Sequence, residues 1–230
     1  MTSAEVAALD SPVLLVPVGS FEQHGPHLPL DTDTLIAVRL AWSAQERLTD
    51  PRDVDTMIGP PITVSASGEH QGFVGTLSIG TDATALTLVE LVRSADWVHG
   101  VVFVNGHGGN AEALDRARRV FANENRHVLI WSPSASADDD AHAGRTETSV
   151  MAHLYPDTVD WARVTAGRTT PLSELADDLR RHGVRAVSEN GILGDATGAS
   201  AEIGRVVFDR WCDDLVATIR DWSTRRGSRS

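Results

Sequence analysis

The sequence GSFEQHGPHLPLDTDT occupies residues 19–34 and connects an apolar run to an amphipathic segment. The apolar run, Val13–Val18, predicts a buried strand, and the segment 33–48 shows the spacing of a helix. Proline stiffens the loop between the two elements, and glycine allows it to turn sharply. The loop carries carboxylates and imidazoles, at Glu22, His24, Asp31 and Asp33. Oxygen and nitrogen donors held rigid at the end of a strand are suited to a hydrolytic metal site.

Two further loops carry residues of the same types, and each follows a strand-like apolar run. NGHGGN, at Asn105–Asn110, places His107 in a glycine-rich turn. DDDAHAGRTETS, at Asp138–Ser149, contains His142 and Glu147. In open α/β sheets, ligands bind outside the carboxyl ends of the strands. The three loops are therefore predicted to converge on one metal site.

The order of apolar and amphipathic segments predicts the fold class. Strand-like runs at 13–18, 55–62, 100–104 and 127–131 alternate with helical patterns at 33–48, 82–95, 111–123, 147–154, 172–181 and 200–222. This alternation is typical of parallel β-α-β units, so we predict an α/β fold, a three-layer α/β/α sandwich with a mostly parallel central sheet. The length suits a single domain over residues 1–230, with loose termini at 1–11 and 223–230.

Composition narrows the class of protein. A net charge of −12 argues against nucleic acid or an anionic membrane surface as a partner. No apolar run approaches a membrane span, and the N-terminus shows no secretory signal. The single cysteine, Cys212, excludes internal disulfides and cysteine-based zinc sites, and it fits the reducing cytoplasm. Cys212 falls in an amphipathic helical pattern, which predicts a packing role.

The three loops resemble, in order and spacing, the signature loops of the creatininase family of metal-dependent amidohydrolases. The likeness is closer to one branch, the creatininase-like peptidases of mycofactocin biosynthesis. Four stretches carry that closer likeness: SGEHQGFVGTLSIGT at Ser67–Thr81, DAHAGRTETSV at Asp140–Val150, TPLSEL at Thr170–Leu175 and ILGDATGASAEIG at Ile192–Gly204. The resemblance implies a cytoplasmic peptidase that hydrolyses a bond near the C-terminus of a modified ribosomal peptide and releases its modified Val-Tyr unit. It also implies a homo-oligomer, a hexamer by likeness to the family.

The resemblance further implies a site for two divalent ions, which zinc, iron or manganese would fit. Its ligands would be Glu22, His24 and His107, with Asp33 bridging the ions and His27 and Asp31 as supporting partners. Creatininase itself carries a glutamate two positions after the turn histidine, as a ligand of the second ion. This chain has Gly109 there, which argues against creatinine hydrolysis and makes Glu147 the best replacement ligand.

The chemistry of amide hydrolysis requires a proton donor for the leaving nitrogen, and an imidazole suits that task. We assign it to His142, which resembles the acid–base residue of the family; the alternative is a structural histidine that caps the next helix. Asp139 is a candidate to fix the tautomer of His142, or an ordinary solvated loop acid. Within the loop 67–76, Glu69, His70 and Phe73 are candidates for substrate contact, and Phe73 is equally suited to the core.

Two other functions fit the same residues. A small-amide or formamide hydrolase of the same superfamily would share the metal site and differ in its pocket. A non-catalytic metal-binding subunit would keep the fold without turnover. The sequence lacks the His-Glu-x-x-His, Pro-Cys-x-x-Cys and Gly-x-Ser-x-Gly motifs of other hydrolases and deaminases.

Overall fold

A parallel sheet forms the centre of the structure, a computed structural model that describes residues 1–224. Within these residues the sheet has four strands in the order β2-β1-β3-β4, and each neighbouring pair is parallel. The strands are β1 (Val13–Val18), β2 (Thr56–Ile58), β3 (Gly100–Asn105) and β4 (Val128–Trp131). Because the strands are parallel, their carboxyl ends lie at one edge of the sheet.

The helices follow the predicted segments closely. They are α1 (Ser3–Ala7), α2 (Thr32–Arg47), α3 (Gly80–Ser94), α4 (Ala111–Asn123), α5 (Arg145–Leu154), α6 (Leu172–His182), α7 (Val184–Val187) and α8 (Ala201–Thr224). In the part of the chain that the structure describes, no helix combines the length and the apolar character needed to cross a membrane.

Two apolar cores cover the two faces of the sheet, because successive strand residues point in opposite directions. Leu15, Val102 and Val104 pack with α2, α5 and α8 on one face. Leu14 and Phe103 pack with α3 and α4 on the other. Burial of both faces explains the continuous apolar runs of β1 and β3. The predicted three-layer sandwich with a parallel sheet is confirmed.

The termini and one strand differ from the prediction. Residues 3–7, which we expected to lie in a loose terminus, form α1, and Thr2 and Glu5 close its first turn with a capping box. The strand expected over 55–62 is only three residues long. Of the tail expected at 223–230, residues 223 and 224 belong to α8, and the rest lies outside the described residues.

Helices α5 and α8 pack backbone against backbone at Gly204. A Cβ atom at this position would lie 1.8 Å from the carbonyl oxygen of Ser149. Glycine is therefore required for the close approach of the two helices. Ser149 also accepts a hydrogen bond through Oγ from the Ser200 amide, at 3.1 Å. Helix α8 thus fixes α5, the helix that carries Glu147.

Candidate metal centre

Glycines allow the loops after β1 and β3 to meet at the first turn of α2. A Cβ atom at Gly19 would lie 2.4 Å from Cα of Thr34, and one at Gly106 would lie 2.6 Å from the carbonyl oxygen of Asp33. The Gly106 amide donates to the carbonyl of Val18 at 2.8 Å. This packing brings Asp33, in the first turn of α2, between the residues of the other two loops.

Glu22, Asp33 and His107 form one group with metal-binding geometry. Each contributes a ligand atom, and these atoms all lie within 4.8 Å of one another. The His107 Nδ1 atom is 3.1 Å from Asp33 Oδ2, and its Nε2 atom is 3.2 Å from Glu22 Oε2. Ser20 donates a hydrogen bond to Asp33 Oδ2 at 2.7 Å. All three side chains are buried, so the group is shielded from bulk water.

His24 lies between the other oxygen of Asp33 and the carboxylate of Glu147. The His24 Nε2 atom lies 3.1 Å from Asp33 Oδ1 and 3.9 Å from Glu147 Oε2. Glu147 is held by a 2.6 Å hydrogen bond from the amide of Ala143. Ala143 has φ of 50°, an uncommon left-handed conformation that aims this amide at the carboxylate. Asp33 therefore presents one oxygen to each of two ligand groups, which is the arrangement of a bridging carboxylate.

The electrostatics of Glu22 fit a divalent cation. Both carboxylate oxygens are buried without a well-formed hydrogen bond from the described residues, and their nearest polar neighbours are the Nε2 atoms of His107 and His70, each 3.2 Å away. Burial raises the pKa of Glu22 to about 8. A buried carboxylate without donors is costly unless a positive charge compensates it. The donor set of carboxylates and imidazoles is one that zinc, iron and manganese accept, so the residues fit the metal that the resemblance implies.

The remaining residues of the cluster are strongly coupled. Burial opposes the charged form of His24 and His107, but the neighbouring carboxylates raise the pKa of each to about 10. Burial also opposes ionisation of Asp33, yet these two imidazoles hold its pKa well below the usual range. Burial raises the pKa of Glu147 to about 7. In the metal-free protein, protons on the imidazoles balance the negative charge that a cation would otherwise balance.

His142 and His70 belong to two further groups of metal-capable side chains, Glu22 with His70 and His142, and His24 with His142 and Glu147. The two histidines are linked by a residue that the sequence analysis did not single out. The Nε2 atom of His142 is 2.9 Å from the Gln23 carbonyl oxygen. The Gln23 side-chain amide nitrogen is 2.8 Å from Nδ1 of His70, 3.0 Å from Nε2 of His142 and 3.1 Å from the Gly191 carbonyl oxygen. Burial, followed by the charge of nearby imidazoles, lowers the pKa of both histidines, for His70 to about 3. The position of Gln23 in the sequence, between the predicted ligands Glu22 and His24, was the signal that could have identified it as a residue of the site.

The Nδ1 atom of His142 points at the cluster. If Nε2 donates to the Gln23 carbonyl, Nδ1 carries the lone pair, and it lies 3.9 Å from Glu22 Oε1. Asp139 does not provide the orientation that we expected. Its carboxylate pairs with Arg210 of α8 and accepts from the Ser136 amide at 2.8 Å. The ion pair with Arg210 keeps the Asp139 carboxylate away from His142, which lies three residues later in the sequence.

The other supporting residues lie at different distances from the cluster. His27 is buried, and its Nε2 atom lies 2.8 Å from the hydroxyl of Thr148, the residue after Glu147. It therefore contacts α5 and not a predicted ligand directly. Asp31 stands at the N-cap of α2 without a capping hydrogen bond from its side chain. The contacts described for residues 1–224 do not bring the Asp31 carboxylate to a metal-ligand side chain.

The candidate substrate residues separate into two groups. Glu69 and His70 line the cavity at the cluster, where Glu69 Oε1 lies 3.5 Å from His107 Nε2 and His70 Nε2 lies 3.2 Å from Glu22 Oε1. Phe73 packs instead against the small apolar cluster of Leu175, Val184 and Leu193. The core alternative therefore describes Phe73 better than substrate contact, because its ring fills the space between its loop and the α6–α7 segment.

A cavity of about 850 Å³ connects the cluster to the surface. Asp33, His107, His142 and Glu147 line its floor, and residues of α6 and α7 line another part of its wall. A volume of this size admits several residues of a peptide. The ligand groups are thus buried on the protein side and accessible from the cavity.

The parallel sandwich and the paired ligand groups define a hydrolase of the creatininase family, and the chain belongs to that family. The family's sequence profile, described as creatinine amidohydrolase, matches residues 1–219. Within the family, the chain is 50% identical over 216 residues to the mycofactocin precursor peptide peptidase of Mycolicibacterium smegmatis, covering 94% of this chain and 87% of the relative. The resemblance predicted from the sequence is confirmed.

More distant relatives support the same fold. The creatinine amidohydrolase of Pseudomonas putida is 27% identical over 252 residues, which cover 95% of this chain and 92% of that protein. A solved structure described as "Creatininase Mn" superposes with a TM-score of 0.78 at 25% identity and covers 96% of both chains.

Proposed function

We propose that this chain is a metal-dependent peptidase of mycofactocin biosynthesis. It hydrolyses a peptide bond near the C-terminus of the modified ribosomal precursor peptide and releases the modified Val-Tyr unit. The observation that carries this proposal is the cluster of metal-capable side chains at a peptide-sized cavity, in which the two oxygens of Asp33 face His24 and His107. The 50% identity to a peptidase of this name supports the substrate. The proposed unit is a single creatininase-like domain over residues 1–230.

Five side chains would hold the metal. Glu22, Asp33 and His107 would bind one divalent ion, and His24, Asp33 and Glu147 the other, with zinc, iron or manganese as the metal. Such ions lower the pKa of a bound water and polarise a carbonyl group. The protein supplies the geometry: Ser20 fixes one oxygen of Asp33, and the Ala143 amide fixes Glu147.

His142 would carry the proton to the leaving nitrogen. Its Nε2 atom is fixed by the Gln23 carbonyl, which leaves Nδ1 toward the ligand groups. The residue is buried yet lines the cavity, so a substrate amide on the floor would reach this nitrogen. A neutral imidazole takes a proton from an attacking water and returns it to the departing amine. Glu69 and His70, on the same wall, would contact the peptide.

The test is mass spectrometry of the purified protein incubated with modified and unmodified precursor peptide. We expect release of the modified C-terminal unit, inhibition by a chelator and recovery on addition of metal. Asp33→Ala should be inactive, whereas Asp157→Ala, at an exposed carboxylate outside the cavity, should match the wild type. Turnover of formamide or creatinine without peptide cleavage would favour a small-amide hydrolase. Bound metal without turnover on these substrates would indicate a binding subunit.

Two properties of the whole protein accompany this proposal. We expect a homo-oligomer, a hexamer by likeness to the family, and exposed apolar side chains offer surface for it: Val74 is fully exposed, Leu77 is 56% exposed and Leu86 is 60% exposed. A monomer in light scattering, with full activity, would contradict this expectation. The reducing cytoplasm fits the single buried cysteine, Cys212.

A further inference from the structure

The side chain of Gln23, in the loop after β1, contacts three other parts of the chain. It is 5% exposed. Its oxygen, Oε1, accepts a 2.9 Å hydrogen bond from the amide of Gly25, which fixes which end of the side-chain amide is oxygen and which is nitrogen. The nitrogen, Nε2, consequently faces His70, His142 and Gly191.

The two hydrogens on this nitrogen have three nearby atoms to choose from. Nε2 of Gln23 lies 2.8 Å from Nδ1 of His70, 3.0 Å from Nε2 of His142 and 3.1 Å from the carbonyl oxygen of Gly191. The Gly191 carbonyl can only accept, so it takes one hydrogen. The backbone carbonyl of Gln23 can also only accept, and it lies 2.9 Å from Nε2 of His142. That ring nitrogen therefore carries its own hydrogen, and the second amide hydrogen goes to Nδ1 of His70.

This network fixes where the two imidazoles carry their hydrogens. Nδ1 of His70 accepts from Gln23, so the single hydrogen of that ring is on Nε2, and Nε2 lies 3.2 Å from Oε1 of Glu22. In His142 the hydrogen is on Nε2, and Nδ1 lies 3.9 Å from the same Glu22 oxygen. The two rings, with centres 4.5 Å apart, thus present an N–H and a lone pair to one carboxylate.

The difference between the two rings matters for metal binding. Glu22, His70 and His142 are close enough to form a metal-binding group of their own. A histidine binds a metal ion through the lone pair of an unprotonated ring nitrogen. Because Nε2 of His70 carries a hydrogen, this ring faces the group with a donor where an ion needs an acceptor.

The amide of Gln23 is held in place from the side opposite to the histidines. A Cβ atom at Gly191 would lie 1.9 Å from Oε1 of Gln23, and the φ of Gly191 is 81°, so a side chain is excluded there for two reasons. The segment that follows pairs with the backbone of His142, since the Leu193 amide donates to the His142 carbonyl at 2.9 Å. The Gln23 amide nitrogen also donates to Thr76 Oγ1 at 3.2 Å through the backbone.

We propose that Gln23 is a positioning residue: it holds the hydrogen of His70 on Nε2 and thereby keeps His70 from binding a metal ion. This inference rests on the proposed metal-dependent function and deepens it, because it separates the histidines of the site into ligands and non-ligands. His70 then serves as a polar neighbour of Glu22, and it meets a bound peptide through its ring carbons.

The test is nitrogen NMR of the protein with isotopically labelled histidine, recorded without metal and with zinc, which is diamagnetic. His70→Asn identifies the signals of His70 by their loss. In the wild type we expect a hydrogen on Nε2 of His70, an unprotonated Nδ1, and no shift of Nε2 that marks coordination when zinc is added. In Gln23→Glu the side chain has only acceptors, so the hydrogen should move to Nδ1 and Nε2 should bind zinc.

Two further variants complete the comparison. Gln71→Glu places the same negative charge on an exposed residue next to His70 and should leave the His70 signals unchanged. Gln23→Met has a side chain of similar length without a donor, so it should lose the single tautomer of His70. It also provides a second measurement if Gln23→Glu does not fold.

Three results would overturn the inference. The first is a wild-type His70 with its hydrogen on Nδ1, or with zinc on Nε2. The second is an unchanged His70 tautomer in Gln23→Glu or Gln23→Met. The third is a reversed tautomer in Gln23→Glu with no zinc bound to Nε2, because the position of the hydrogen would then not decide metal binding.

These measurements contain no peptide, so they are independent of turnover. If the protein cleaves no peptide and the His70 signals behave as expected, the proposed peptidase function fails and the role of Gln23 stands. If the protein cleaves the precursor peptide and His70 binds zinc in the wild type, the role of Gln23 fails alone.

Discussion

Gly109 lies against Glu69 beside the ligand groups, and the Glu69 carboxylate occupies the space that a side chain at position 109 would fill. A Cβ atom at position 109 would lie 1.9 Å from Oε1 of Glu69 and 2.4 Å from Nε2 of His107. The corresponding turn of creatininase carries a glutamate at this position. In this chain, a carboxylate from another loop, that of Glu69, lies next to the glycine. The glycine is therefore needed to admit Glu69 and to leave the His107 ring in place.

Gly109→Ala should weaken metal binding by about tenfold or more, because displacement of a ligand's neighbours typically costs 10–100-fold in affinity. The methyl group would push against the His107 ring and the Glu69 carboxylate. Metal titration of the apo-protein measures the effect. Gly108→Ala is the matched control, since a Cβ atom there meets nothing within 4 Å. Equal affinities for the two variants would show that the turn relaxes around the added group.

Asp33→Ala should remove both ions, and Glu147→Ala should mainly weaken one. The reason is geometric: Asp33 turns one oxygen to His107 and the other to His24, whereas Glu147 belongs only to the group with His24 and His142. Elemental analysis of the two purified variants gives the metal stoichiometry. If Glu147→Ala keeps two ions at unchanged affinity, Glu147 only accepts the hydrogen bond of the Ala143 amide and binds no metal. Glu69 then becomes the next candidate ligand.

His142→Ala should keep its metal and lose most of its rate. A general acid–base group contributes about 10²–10⁴-fold, so we expect a loss of that size in kcat with one limb missing from the pH–rate profile. Metal content is measured on the same samples. Loss of metal in proportion to activity would make His142 a ligand, and near-normal turnover would transfer the proton role to Glu69 or His70.

The metal-free protein should lose stability as the pH rises from about 4.5 to about 10, the range between the unfolded carboxyl values and the folded imidazole values. Burial raises the pKa of Glu22 from 4.5 to about 8 and that of Glu147 to about 7. A raised pKa in the folded state gives stability that is fully present below the unfolded value and is lost as the pH passes the folded value. His24 and His107, with pKa raised to about 10, act in the same direction. Melting temperatures with and without metal measure the difference, and parallel profiles would contradict this assignment.

The sequence predicted the parts of the structure that depend on local pattern. The apolar runs of β1 and β3 identified central strands, because both faces of each are buried. The convergence of Glu22, His107 and Glu147 followed from the rule that parallel strands end at one edge. The length of β2 was overestimated: the prediction was a strand over 55–62, whereas only three residues pair with β1.

The sequence did not predict contacts between segments that are far apart along the chain. Gln23 bonds to the carbonyl of Gly191, 168 positions away in the chain. Asp139 was assigned to His142 because the two are close in sequence, but Arg210 of α8 pairs with it instead. The position of Arg185 against Gly72 depends on how the α6–α7 segment packs on the loop after β2. None of these pairings leaves a periodic or spaced pattern in the sequence.

The backbone contact between Gly204 and Ser149 links the metal centre to the outer layer of the protein. Helix α8 contributes no residue to the cavity wall, yet it sets how far α5 stands from the sheet, and α5 carries Glu147. A larger residue at 204 would shift Glu147 relative to His24, although position 204 itself lies outside the cavity wall. Selection for a different metal, or for one ion in place of two, would therefore act on α8 as readily as on the three loops.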